Sequence, residues 1–135
     1  MKTLFISLLL GIFSLQSFCQ TFKVTDWLYS GEYSKRVQAA KQKALGSIIK
    51  LTFYDRTIRL SFYDKHKKDS SIQEVILDKI DENTYHLKIS ERHEIKLVLN
   101  RKLYYIVSAT LTARKHYDQE EDKVLITTMK RENIF

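Results

Sequence analysis

The side chains best suited to metal binding or nucleophilic chemistry in this 135-residue chain are four histidines, a single cysteine and two runs of acids. His66, His86, His93 and His116 show no close pair of the kind a zinc site uses, and the one cysteine, Cys19, removes thiolate clusters. No serine stands in the glycine-flanked elbow of a nucleophile turn. The acids of Glu120-Glu121-Asp122 are consecutive and those of Asp81-Glu82 lie in a turn pattern, so neither set faces a substrate as a general acid and base would. Glycine is too scarce for a phosphate cradle, since only Gly31 and Gly46 lie beyond the first twenty residues. The expectation is a non-enzymatic protein that needs no cofactor and no metal.

Export is expected from the first nineteen residues. Met1-Lys2-Thr3 is a short positive start, Leu4 to Leu15 is an apolar run, and Gln16-Ser17-Phe18-Cys19 is a polar-to-small exit. The run is too short to span a bilayer and reads as a secretory signal peptide over residues 1–19, cut before Gln20. The alternative is a lipid anchor on Cys19; it is disfavoured by Phe18, because lipoprotein signals place a small residue before the cysteine. One domain over residues 20–135, periplasmic or extracellular, is the resulting expectation.

Charge is uneven along that domain. Gln20 to Ser70 holds eleven Lys or Arg against five Asp or Glu, while Ser71 to Phe135 holds eleven of each. A basic sector outside the cytoplasm suits an acidic glycan, anionic lipid or acidic protein, and nucleic acid is disfavoured there. Lys50, Arg59, Lys65, Lys67 and Lys68 are the expected partner-binding cations, the last three on a polar loop from Asp64 to Ser71.

These side chains are positioned by strands. Thr21 to Ser30 reads as a first strand, and Tyr33 to Leu45 switches to helical spacing before Gly46 stops it, giving a short helix packed on the domain. A tight turn at Asp55-Arg56 pairs Phe53 with Ile58, Leu51 with Leu60 and Ile49 with Phe62. In the meander from Val75 to Leu111, three-residue loops at 81–83, 91–93 and 100–102 set Leu77 opposite Leu87, Leu87 opposite Leu97 and Leu97 opposite Tyr105. They also place His86 opposite Asp78 on the polar face. Arg114 to Asp122 is a second polar loop, Lys123 to Lys130 a last strand, and Arg131 to Phe135 an end expected to fray.

Seven or eight strands about 4.8 Å apart make an open sheet far wider than one helix can cover. Curling the sheet buries the uncovered apolar face and removes its edges, so the fold class is mainly β. The expected architecture is an antiparallel up-and-down meander in a closed or half-open barrel with one short N-terminal helix; a two-sheet sandwich is the runner-up. With Trp27 early on the first strand, a helical insertion after it and hairpins to the end, the pattern resembles the lipocalin-like superfamily, which includes the fatty-acid-binding proteins. Thr25 stands where lipocalins place a glycine before that tryptophan. The resemblance implies a small apolar or amphipathic ligand held in the barrel, with Trp27 plugging its base.

The lining expected for such a ligand is Trp27, Leu60, Leu87, Leu97 and Tyr105, with Leu51 and Leu77 beside them. Large inward residues argue instead for a filled interior, Ala109 being the one small inward residue of the meander. The alternative function is a protein-interaction or inhibitory module acting through the basic loops at the cell envelope or outside the cell.

Overall fold

In the computed structural model the described residues are 18–64 and 67–132. Eight antiparallel strands close into a barrel in chain order: β1 (Phe18–Tyr29), β2 (Ile48–Phe53), β3 (Thr57–Asp64), β4 (Lys67–Asp81), β5 (Thr84–Ser90), β6 (His93–Lys102), β7 (Tyr105–Lys115) and β8 (Lys123–Arg131). The first strand seals the barrel by pairing with β2 along its first half and with β8 along its second. The single helix, α1 (Lys35–Ala44), sits between β1 and β2.

The β2–β3 hairpin has the expected register, with Ile49 opposite Phe62, Leu51 opposite Leu60 and Phe53 opposite Ile58. Its turn closes through a bond of ordinary length from the Tyr54 N–H to the Thr57 carbonyl, at 3.0 Å. Asp78 faces His86 as expected, but the β4–β5 turn is Glu82-Asn83 alone. Asp81 shapes it by accepting from the Asn83 N–H at 2.9 Å, and a register shift between Lys79 and Asp81 absorbs the remaining residue.

Three expectations need correction. Leu87 faces Ile95 and Leu97 faces Tyr85, because the β5–β6 turn is the two residues Glu91-Arg92 with a register shift between Lys88 and Ser90. The offset is even, so the same face still points inward; Leu97 is wholly buried and Leu87 half-buried. The β6–β7 turn lies at Leu103-Tyr104, so Leu97 pairs with Leu111 instead of Tyr105. A further shift between Asn100 and Arg101 reverses the alternation near the turn, so Ile106 points inward at 3% exposure while Tyr105 stands outside at 57%. In place of a polar loop from Asp64 to Ser71, β3 runs to Asp64 and β4 starts at Lys67, with Tyr63 opposite Ser71 and Asp64 opposite Lys67; Lys65 and His66 lie outside the described residues.

The helix occupies most of the expected span. Ser34 caps it by accepting from the Val37 N–H at 3.3 Å, and the chain leaves through Gly46 at φ +84°, a conformation glycine adopts without a Cβ penalty. Gly46 and Ser47 bond to Val24, and Leu45 packs against the core, so the helix is held at its C-terminal end. None of its own residues is fully buried.

Phe22, Leu51, Ile58, Leu77, Leu97 and Met129 fill the waist of the barrel at 0% exposure. A side chain bordering a water-sized void would retain accessible area, so no such void touches these six.

Candidate ligand pocket at the barrel mouth

Strand direction alternates around the barrel, so one end gathers the start of β1, the β2–β3, β4–β5 and β6–β7 turns, and the end of β8. A pocket of about 310 Å³ opens there, lined by Gln20, Phe53, Arg101, Tyr104, Tyr105, Ile106 and Arg131. Tyr85 lies under Phe53, ring centroids 6.5 Å apart and edge to face, and burial raises its phenol above the ordinary tyrosine pKa.

Gln20 is the unusual member. It follows the inward alternation of Phe22 and is 8% exposed, yet its Oε1 is buried with no hydrogen-bond partner. An orphaned buried acceptor costs about 1–3 kcal/mol; the Gln20 oxygen is closed to solvent as it stands, so an occupant's donor would reach it only with the carboxamide turned toward the pocket.

Two guanidinium groups complete the chemistry. Arg101 is held by Nε donating to Asn83 Oδ1 at 2.6 Å and Nη2 donating to the Glu82 carbonyl at 3.3 Å. A guanidinium has five donors, so the anchored group still has N–H bonds to offer. Arg131 makes no ion pair among the described residues. Phe53, Ile106 and the two tyrosines supply apolar surface. The pocket can therefore hold an anion on an apolar body, with one donor directed at Gln20.

Of the residues expected to line a ligand site, only Tyr105 borders this pocket, and it does so from the rim. Leu60 and Leu97 belong to the closed core, so a ligand reaching them would displace their neighbours. Leu87 packs against that core. Trp27 is buried far from the mouth, roughly 23 Å along β1 at about 3.3 Å per residue, and stacks on Tyr29 at 6.4 Å. The expected partner cations are likewise elsewhere: Lys50 lies over the Tyr63 ring at 4.8 Å, and Arg59 pairs with Glu74 at 3.8 Å and bonds the Tyr54 hydroxyl. Lys65 lies outside the described residues, and Lys67 and Lys68 stand on β4.

At the opposite end, the outer wall carries a chain of imidazoles and carboxylates. Glu94 lies 3.5 Å from His86 Nε2 and 3.7 Å from His116 Nε2, and His116 Nδ1 lies 2.9 Å from Asp122. The hydrogen bond with His86, aided by the charge of His116, holds the Glu94 carboxyl below its ordinary pKa. Among the described residues no group of three or more His, Cys, Asp or Glu has an arrangement that could hold a metal ion.

Comparison of the chain with family models, curated proteins and solved structures finds no match. No helix among the described residues is long and apolar enough to cross a membrane.

Proposed function

We propose that this is an exported, non-enzymatic binding protein that holds a small amphipathic anion at its barrel mouth. The unsatisfied Gln20 carboxamide beside Arg101 and Arg131 carries the reading. Arginine and tyrosine around the pocket supply donors and charge, not a general base, which favours binding over catalysis. A closed eight-strand barrel with a helix after its first strand agrees with a lipocalin-like assignment. The preferred ligand differs from the one first expected by lying across the mouth instead of deep within.

Export bears on the same site. Phe18 and Cys19 form the first rungs of β1 opposite Phe53 and Thr52, and cleavage before Gln20 removes them. The new α-ammonium on Gln20 then adds a third positive group at the mouth. A lipid on Cys19, the alternative maturation, would tether the protein at this end.

A second reading, docking of an acidic glycan or protein on the helix, is favoured by Lys35, Arg36, Lys41 and Lys43, which α1 presents without a single acid or fully buried residue. One experiment separates the two. Calorimetric titration of the exported chain, its start fixed by intact mass, should show binding of 3-hydroxydecanoate over decanoate and little binding of decanol. Changing Arg101 and Arg131 together to Gln should weaken the acid at least about tenfold, the scale of a lost charge-assisted contact. Changing Lys35 and Lys43 to Gln should not. Equal affinity for acid and alcohol, or loss only in the helix variant, would defeat the mouth reading.

A further inference from the structure

The tip of the β6–β7 hairpin exposes three consecutive hydrophobic side chains: Leu103 at 85%, Tyr104 at 94% and Tyr105 at 57%. Single exposed apolar residues are ordinary on a protein surface. Here they stand together at and beyond the last rung, Lys102 with Tyr105. Leu103 also has φ 60°, a left-handed conformation in which a bulky side chain is strained and glycine or asparagine is not. The fold thus carries a strained leucine whose side chain contributes almost nothing to the core.

Charge on the strands and turn that carry the tip has one sign. From Ile95 to Tyr117 the hairpin contains Lys96, Arg101, Lys102, Arg114 and Lys115 and no acid. In the adjoining β4–β5 turn, Asp81 accepts from Asn83 and Glu82 pairs with Lys79 at 3.5 Å, so both acids are engaged within their own hairpin.

We propose that this tip docks the protein on an anionic lipid bilayer, with Leu103 and Tyr104 entering the interfacial layer and Arg101 and Lys102 at the headgroup phosphates. Leucine supplies apolar surface, tyrosine favours the interface where one edge is apolar and the other wet, and the cations complement an anionic leaflet. Because Tyr104 and Tyr105 also border the mouth pocket, docking brings that pocket to the lipid surface, where amphipathic anions reside. Membrane docking stands on the tip alone; the link to the pocket rests on the proposed function.

The test uses Leu103 and Lys102, neither of which lines the pocket. The mature chain should cosediment with vesicles of phosphatidylglycerol and phosphatidylcholine in equal parts, weakly with phosphatidylcholine alone, and less as salt rises. Leu103→Gly should lower the partition coefficient about tenfold and Lys102→Gln severalfold, consistent with loss of one buried apolar side chain or one headgroup cation. Leu103→Gly should leave the melting temperature unchanged or raised and 3-hydroxydecanoate binding intact, so a lost membrane contact is distinguished from lost fold or failure of the pocket reading. Parent and Leu103→Gly sedimenting alike, equal binding to both vesicle types, or a parent dimer that Leu103→Gly dissociates would each overturn the proposal.

Discussion

Two crevices of about 310 Å³ open toward opposite ends of one barrel, and their chemistry differs far more than their size. The crevice beside the helix is lined by Ala40, Lys43, Ala44, Ser47, Phe62, Tyr63 and Gln73, with the Ser47 hydroxyl donating to the Ala44 carbonyl at 2.6 Å. Loops at that end are tied by charge, most closely Arg92 with Asp118 at 2.7 Å and His116 with Asp122 at 2.9 Å. The mouth keeps a buried acceptor without a donor and a guanidinium without a described counter-ion. Volume alone therefore does not mark a site. A polar group left short of a partner is the more informative feature, because an occupant that draws the Gln20 carboxamide toward it would improve its free energy.

Separation of the two ends depends on the filled waist, and breaking it should have the largest effect. Leu97, wholly buried between Tyr85 and Leu111, should cost about 2–5 kcal/mol on truncation to Ala by urea denaturation, while half-buried Leu87→Ala should cost less. A loss below about 0.5 kcal/mol at Leu97, the scale of an ordinary surface change, would mean that the waist is loose and the crevices communicate.

Legibility in the sequence follows the same division. Closure into a barrel could be argued from the number of strands against the width of one helix, and the β2–β3 register from two apolar alternations around Asp55-Arg56. The β6–β7 hairpin misled because Asn100, Arg101 and Lys102 have turn-like composition, whereas the true turn holds Leu103 in a conformation that leucine disfavours. The following register shift reversed Tyr105 and Ile106, which no periodicity announces. Arg101 and Arg131 share a pocket with Gln20 only because β1 closes on β8 and the β6–β7 turn lies at the same end, so spacing along the chain could not join them. The available signal was Gln20 itself, a polar residue in phase with inward Phe22 and Val24.

A middle-sized effect should come from that residue. Replacing Gln20 with Met, similar in length but without the orphaned oxygen, should stabilise the protein by about 1–3 kcal/mol and abolish the preference for 3-hydroxydecanoate over decanoate. Gln73→Met in the helix-side crevice, where the residue is exposed, should stay within about 0.5 kcal/mol of the parent. Matching denaturation curves for the two variants would erase the distinction between the crevices.

The smallest effect belongs to the charge-tied end and concerns pH. Glu94 has its carboxyl held low in the folded state, first by the hydrogen bond with His86 and then, against an opposing desolvation, by the charge of His116. A folded pKa below the unfolded one means that the native state binds fewer protons than the unfolded chain as acid is added. The contribution is therefore present above the ordinary glutamate range and is lost as pH falls through the lowered value. The melting temperature of the parent should exceed that of Glu94→Gln at pH above the ordinary glutamate range, and the gap should shrink as pH falls and vanish at about pH 3. The Glu94 side chain is partly open to solvent, so added salt should shrink the gap further. A gap that is constant across this range would show that Glu94 acts by packing, and that charge does not hold this end of the barrel together.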